Sequence, residues 1–583
     1  MSRFGPRENQ RLKRIIHPLR AEQLAIIAVI AAVVLMGIGW GLPSKQRMAL
    51  LTAGGGPTPR QVQLLDSLHI LHAMGQLPAD SVPWRRGFDG TVDARIAPAV
   101  TGTEKLYALR EFILGSSAVD EERTLIGLGR INPRRLDFNP KVYSYGGSYL
   151  YPVGFLYFVM RSAGLLHVTH DFAYYMQNPE QIARMYVAGR LLSLAALIGT
   201  LVLLALLGTL LSGPTAGTLA LLTYGLATVI LNHAIVMKPH LFTAFWITLA
   251  TYLLLLYVGR REHRLLVWSV LVAGFAVGSS VSAALMGLLY PVLLYERGRE
   301  AWLVKVCLGA AATMVAVYFL MNPYTILDWK GYHAAMSGFS AEFRIGFGLF
   351  KLLPYVQGLF LNAYTFPVGL LGLVFALWCC VRRRGPMQRL GLVLVALILF
   401  FGIYHDSVRV TQFLGPLIAL FGGIAVVEWM VEPLRTRTLL RAGLVALLFL
   451  PGTVLAGLFA RDTILDQAWL EPTARWVRDA HIGPGTTIGS VTTLSPIDLP
   501  PFPFLHARMI DMSAAASLAA PPDYVIVGNF AERYNRLWQE HPLRSRYRPL
   551  ANLGVRASYG WLRALRYMDE ARTGAVVYQR VDR

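Results

Sequence analysis

Four short polar clusters interrupt an otherwise apolar chain, and their residue types set out the chemistry to expect. The first, 116–124, carries Asp120-Glu121-Glu122. A carboxylate there can take a proton from a hydroxyl or ligate a metal ion. The plain alternative is a helix start, with a Ser or Asp cap, acids against the helix dipole, and Leu125 and Leu128 on an apolar face. The two readings are compatible, because a helix that starts at a cleft aims side chains into it. The second cluster, 138–152, packs Lys141, Tyr143, Tyr145, Gly146-Gly147, Tyr149 and Tyr151 together. Its lysine can meet a phosphate and its glycines permit close backbone approach; an aromatic belt with a snorkelling lysine is the alternative. The third is Met237-Lys238-Pro239-His240, either an ordinary short loop or a cationic turn. The fourth gathers Asn322-Pro323-Tyr324, Asp328 and Trp329 with His405, Asp406 and Arg409, an arginine suited to gripping a phosphate. No GxSxG, Walker A, HExxH, DxD or paired CxxC forms a usable site, so soluble hydrolase, ATPase and zinc-protease readings have no support.

The elements that must position these clusters are membrane helices. Of 583 residues, 55% are apolar and only 15% charged, against roughly 25% charged in soluble domains. Disorder, collagen repeats and a disulfide scaffold are excluded by the same composition. Cys307, Cys379 and Cys380 all fall in or beside apolar blocks, so no disulfide is expected outside the membrane. A helix crosses a ~30 Å hydrocarbon core with about 20 apolar residues. Such runs predict eleven spans, at 21–42, 189–211, 214–236, 240–259, 265–282, 283–297, 302–321, 357–380, 389–404, 410–431 and 438–460. The first is read as a retained span rather than a signal peptide, because it is long and lacks a convincing cleavage site.

The net charge of +21 is placed by orientation. With the arm 1–20 in the cytoplasm, the segments facing inward are 212–217, 260–264, 296–300, 382–384 and 435–441. All but the short loop at Ser212 bear arginine, as inside loops do. Nucleic-acid binding is therefore not needed to explain the charge. Counting 149–166 as a span would invert every later loop, and Pro152 and Arg161 interrupt it, so it is read as an interfacial helix. Three pieces then face outward: a first loop, 43–188, a middle loop, 322–353, and a tail, 461–583. The tail alternates helical pattern with β-branched runs (TIGSV, YVIVGN, AVVYQRV), which predicts a small α/β domain.

In order along the chain, these features resemble the GT-C superfamily of polyprenyl-phosphate-sugar-dependent glycosyltransferases. The resemblance is closer to the bacterial family 39 branch, relatives of protein O-mannosyltransferases and the lipid A aminoarabinose transferase. It is carried by the basic arm and first span, the Asp120-Glu121 pair in a long outer loop, and the N-P-x-x-x-x-Y-G-G-x-x-x-Y-P stretch from Asn139 to Pro152. It continues through the Lys238-Pro239-His240 turn, the NPYTILDW segment at 322–329, the DSVRVTQFLGPLIALFGG segment at 406–423, and the Trp476–Gly489 start of the tail. The implied fold is a polytopic α-helical membrane protein of GT-C type, with about eleven transmembrane helices, a long first outer loop and a small C-terminal α/β outer domain. The implied domains are a cytoplasmic arm, 1–20, a transmembrane module, 21–460, and an outer domain, 461–583.

The resemblance implies that a sugar moves from a polyprenyl phosphate to an acceptor hydroxyl at the outer face, by a single inverting displacement. Asp120 falls on the family's reacting acid, with Glu121 beside it. Lys141, Lys238, His240 and Arg409 are the candidate phosphate cations, and Tyr145, Gly146, Tyr149, Tyr324, Asp328 and His405 the candidate substrate cleft. The metal is unknown, and the one cofactor left open is a divalent cation, magnesium or manganese. Partners would be the lipid-linked donor, an acceptor protein, lipid or glycan, and membrane lipid, with no nucleic acid. The expected site is a bacterial inner membrane, N-terminus cytoplasmic and C-terminal domain periplasmic or extracellular. Two departures stand out: His240 occupies a turn where many members carry aspartate, and Asp120 lies 78 residues past Leu42. A transporter or flippase of lipid-linked saccharide is the alternative. It calls for charges buried mid-span and symmetry between halves, and neither is seen in the sequence.

Overall fold

Prolines open several of the apolar helices. Pro179, Pro214, Pro239 and Pro416 each stand in a first helical turn, where a missing N–H costs nothing. The computed structural model describes residues 18–53, 55–73, 102–118, 120–169, 171–342, 346–363, 367–404, 413–464, 470–483, 485–491, 494–512, 521–528, 532–553 and 575–581. Among them, five helices are long and apolar enough to cross a membrane: Pro179–Leu211, Pro239–Arg260, Glu300–Met321, Pro386–Tyr404 and Thr438–Arg461. The pair Pro214–Gly225 and Thr228–Ala234, bent by 67°, makes a sixth if taken as one span. Shorter apolar helices, Ala21–Met36, His263–Ser279, Val281–Leu294, Val368–Arg382 and Gly415–Val431, occupy the remaining expected positions. Every expected span thus contains an apolar helix, but length and composition alone license five or six crossings rather than eleven.

Several boundaries differ from those expected. The helix at 189 begins ten residues earlier, at Pro179, and runs 33 residues to Leu211, about 50 Å at 1.5 Å per residue. That exceeds a ~30 Å core, and Arg190 stands in its fourth turn. The last apolar helix continues to Ile464, past the expected boundary at 461.

Small residues let these helices approach closely, as membrane helices require. Gly208 and Gly217 bring two backbones together, since a Cβ at Gly208 would lie 2.5 Å from the Gly217 Cα. Helix His263–Ser279 packs between Pro239–Arg260 and Glu300–Met321. The latter buries only Ala310 and presents Val304, Leu308 and Leu320 outward. The segment 149–166, expected to be interfacial, forms helix Gly147–Ser162, which buries Tyr149, Leu150 and Val153 and exposes Phe155 and Phe158.

The tail folds around five strands: β1 (Thr487–Ser490), β2 (Arg508–Asp511), β3 (Tyr524–Gly528), β4 (Tyr547–Asn552) and β5 (Ala575–Arg580). Their order is β2-β1-β3-β5-β4, parallel through the first three and antiparallel through the last two. Alternation along β3 divides its side chains between two cores. Val525 and Val527 join Trp538 on one face, while Ile526 faces Trp476 and Phe504 in the main core. That second face docks on the segment 102–114, between the first apolar helix and helix Pro179–Leu211. Phe504 meets Phe112 at 5.5 Å between ring centroids, and the Lys105 ammonium donates to the carbonyls of Leu505 and Ala507.

A titratable group sits in this docked region. Burial of Glu111 pushes its carboxyl up to about 8, with Glu122 and Asp498 adding to the rise and Arg110 opposing it. An acid whose folded value is raised keeps a proton that the unfolded chain has lost, so stability falls as pH climbs. The decline should span pH 4.5, the group's ordinary value, to about 8. Glu111→Gln should flatten it, measured as the apparent unfolding midpoint across that range.

Candidate active site

The Asp120-Glu121 pair is split by backbone conformation. Asp120 adopts φ 61°, a left-handed geometry that aspartate tolerates better than most residues, and helix Glu122–Arg130 starts directly afterwards. Asp120 is left partly exposed, whereas Glu121 is fully buried. Glu121, named beside Asp120 as a candidate catalytic residue, is thus closed off from solvent. Its Oε1 and Oε2 accept a bidentate pair from Arg190 Nε and Nη2 at 2.8 and 2.7 Å, and Oε1 also accepts from the Met237 backbone N–H at 2.7 Å. Arg190 Nη1 donates in turn to the carbonyls of Ile38 and Trp40, each at 2.7 Å. One buried ion pair thus ties the end of the first helix, the first loop, helix Pro179–Leu211 and the turn before Lys238.

That turn is pinned twice more. Thr124 Oγ1 donates to the Met237 carbonyl at 3.3 Å, and Ser193 Oγ donates to the Val236 carbonyl at 2.9 Å. The bend after Gly225 leads the chain through the short helix Thr228–Ala234 into this position. As a result Lys238, only 2% exposed, brings Nζ to 4.0 Å from Asp120 Oδ2. Arg123 Nε lies 3.0 Å from the other carboxylate oxygen. Asp120 and Lys238 are 118 residues apart in sequence and are brought together. His240 follows two residues later, its ring 5.1 Å from that of His233 in an edge-to-face contact.

Lys141 belongs to a different cluster. Its side chain is exposed, its backbone takes φ 48°, and its charge is felt by Asp328. The Asp328 carboxylate accepts from the Tyr143 hydroxyl, from Asn139 Nδ2 at 2.8 Å and from the Gly331 N–H at 3.2 Å. These bonds, Tyr143 first and Asn139 next, hold it below the ordinary carboxylate range. Tyr324 completes the clamp by accepting the Phe138 N–H at 2.9 Å. Asp328 is thereby committed to fastening the 137–143 loop, not to lining a cleft.

The glycine pair also serves a purpose other than the one expected. A Cβ on Gly146 would fall 1.9 Å from the Gly278 carbonyl oxygen, and one on Gly147 2.0 Å from that of Met321. The close approach is of backbone to backbone rather than of backbone to phosphate. It fixes the floor of a cleft lined by Tyr145, Tyr151, Ser280, Tyr318, Asn322 and Tyr324, among others, with about 450 Å³ of space including open solvent at its mouth. Of the candidate cleft residues, Tyr145, Gly146 and Tyr324 line it. Tyr149 does not, since it is fully buried between Tyr145 and Phe242. The Tyr145 hydroxyl donates to the Asp120 carbonyl at 3.2 Å, joining the cleft to the Asp120–Lys238 pair. His405, Asp406 and Arg409 lie outside the described residues.

Arg190 was missed from sequence, although an arginine at the mouth of a leucine-rich helix is a signal, because such a charge demands a partner. Ser280 carried no comparable signal. Among the described residues, no group of three His, Cys, Asp or Glu side chains stands close enough to hold a metal ion.

No family model and no curated protein matches the sequence. Among solved structures, the chain is similar to ArnT from Cupriavidus metallidurans bound to undecaprenyl phosphate, with 13% identity, 95% of this chain and 97% of that one covered, and a TM-score of 0.40. It is also similar to the Archaeoglobus fulgidus oligosaccharyltransferase in complex with zinc and sulfate, at 11% identity and a TM-score of 0.38, covering 69% of this chain. The chain spans about half the length of that archaeal protein, 53%.

Proposed function

We propose that this protein is a membrane glycosyltransferase that moves a sugar from a polyprenyl phosphate to an acceptor hydroxyl at the outer membrane face. The observation that carries the reading is the meeting of an accessible carboxylate, Asp120, with a buried ammonium, Lys238, at the edge of a tyrosine-rich cleft. The acceptor oxygen attacks the anomeric carbon while its proton passes to the Asp120 carboxylate. The bond from that carbon to the phosphate oxygen breaks, and its electron pair leaves with the polyprenyl phosphate. The phosphodiester monoanion becomes a monoester with one more negative charge. Lys238 meets that charge in a site poor in water, where a fixed cation stabilises it more than bulk solvent would.

In this reading Glu121 and Arg190 are positioning residues that hold the Lys238 turn in place. Helix Gly147–Ser162 lies on the bilayer with Phe155 and Phe158 toward lipid. The arm 1–20 faces the cytoplasm and the tail from 461 stands outside over the first loop.

The test uses the full chain in lipid nanodiscs with synthetic polyprenyl-phosphate hexose and a hydroxyl acceptor, and follows free polyprenyl phosphate by mass spectrometry. Protein-dependent release is expected, with Lys238→Met lowering the rate by about 10²-fold. Movement of intact donor across the bilayer without cleavage of the sugar–phosphate bond would instead make the protein a flippase.

A further inference from the structure

Two segments beside the cleft are clamped to one another and present a face that the transfer reaction leaves unused. The loop 130–143 is held against the segment 322–333 by the Tyr324–Phe138 bond and by the bonds of Tyr143 and Asn139 to Asp328. Within the loop, the backbones of Asn132 and Asp137 exchange bonds of 2.7 and 3.1 Å around the 3-10 turn Pro133–Arg135. Leu136 closes that turn at φ 53°, a left-handed geometry that a leucine rarely adopts. It is 79% exposed.

Leu136 does not stand alone. Phe138, Ile326, Leu327 and Trp329 on the clamped pair are exposed as well. Large apolar groups gathered on one fastened structure differ from the single leucines scattered over an ordinary surface. Cations rim them. Arg134, Arg135, Lys141 and Lys330 are exposed and Arg130 is half-buried. Only two acids answer these five charges, Asp137 and Asp328. Asp328 is already taken up by Tyr143, Asn139 and the Gly331 N–H.

The place of this face in the chain narrows what can cover it. Segment 322–333 follows directly on helix Glu300–Met321, whose 22 residues reach about 33 Å, enough for a ~30 Å hydrocarbon core. That helix buries only Ala310 and exposes Phe319 and Leu320 at its end, and exposed apolar surface resumes one short turn later at Ile326. Leucines, a tryptophan and a rim of arginine and lysine make up a membrane interface: apolar groups enter the acyl region, the indole sits at headgroup level, and cations meet phosphate. Continuity with a membrane helix favours lipid over a protein partner.

We infer that the clamped segments are a membrane-docking surface. Leu136, Leu327 and Trp329 enter the leaflet at that end of helix Glu300–Met321, while Arg134, Arg135 and Lys330 hold anionic phospholipid headgroups. Insertion takes the Leu136 side chain out of water, which offsets its left-handed backbone. It also seats the mouth of the cleft at headgroup level, because Pro140, Tyr143 and Tyr324 belong to both the clamp and the cleft lining. The docking goes beyond the transfer reaction and does not depend on it.

The experiment uses the full chain with Cys307→Ala, Cys379→Ala and Cys380→Ala, in nanodiscs of phosphatidylcholine with or without phosphatidylglycerol. A spin label on Leu136→Cys reports depth through relaxation by oxygen, which concentrates in hydrocarbon, and by a water-soluble nickel chelate. Arg475→Cys, at an exposed position in the tail, is the aqueous reference. The label at 136 should meet oxygen several-fold more than nickel, the reverse of position 475. In discs holding both lipids, native mass spectrometry of the released protein should show phosphatidylglycerol retained in preference. Arg134→Gln with Arg135→Gln should cut that preference roughly fivefold or more, the worth of one basic residue at an anionic surface. Lys330→Gln, on the other segment, should lower it as well. A label at 136 relaxed by nickel as strongly as at 475 overturns the inference and gives the face to a protein or glycan partner. A buried label with the lipid preference untouched by these substitutions overturns the anionic assignment. Absence of sugar transfer in the same discs would sink the reaction and leave the docking standing.

Discussion

Asp120→Asn is expected to lower sugar transfer by about 10²–10⁴-fold, the usual range for removing a general base. The substitution keeps the shape of the side chain and its contacts with Arg123, so the fold and the docking of Lys238 should survive. Donor binding should change little or tighten, because one anion facing the incoming phosphate is gone. The effect therefore belongs in kcat rather than KM. Steady-state kinetics with varied donor separates the two, and a large rise in KM at constant kcat would assign Asp120 to binding instead of proton transfer.

Glu121→Ala should cost about 3–5 kcal/mol of stability, the largest loss expected from any single substitution in this region. It strips the partner from a guanidinium with no exposed surface and leaves the Met237 N–H without its acceptor. Removing both charges together changes the sign of the argument. Glu121→Leu with Arg190→Leu should recover much of the stability, since a buried ion pair is often no better than apolar packing of similar volume. Transfer should nevertheless stay low in the double variant, because the turn carrying Lys238 has lost a pin. Apparent unfolding midpoints in detergent, read beside transfer rates, distinguish this from a purely structural pair, in which stability and activity would return together. Glu121→Gln, which keeps an acceptor for Met237, should fall between the two on both measures.

Much of the fold was legible because membrane helices announce themselves. Uninterrupted apolar runs carry the signal, and each expected span contains an apolar helix. Their lengths were not legible. Where Ser280 gives way to 3-10 turns, or Val427–Val431 loosens into a wider helix, hydropathy continues while the helix does not. In the tail, β1, β3 and β5 stood out as β-branched runs. The short Arg508–Asp511 strand offers one isoleucine, and β4 contains Pro549, which only an edge strand accepts. Both were therefore missed.

The candidate site was half legible. Residue type drew attention to Asp120, Lys238, Tyr145 and Tyr324, which long-range packing gathers around one corner. Type alone could not separate Asp120 from Glu121, because one residue of left-handed backbone turns adjacent acids to opposite environments. Nor could it show that Asp328 and the Gly146-Gly147 pair serve the loop's own architecture, since an acid that clamps a tyrosine reads the same in sequence as one that awaits a ligand.

The central claim is that a lipid phosphate enters between Lys238 and the cleft. The most direct measurement is an experimental structure of the Asp120→Asn protein in nanodiscs with an uncleaved citronellyl-phosphate hexoside. The account predicts the phosphate within hydrogen-bond reach of Lys238 Nζ, with the anomeric carbon facing position 120 and the hexose against Tyr145 and Tyr324. A phosphate bound elsewhere, with Lys238 still turned onto position 120 and the cleft empty, would contradict it.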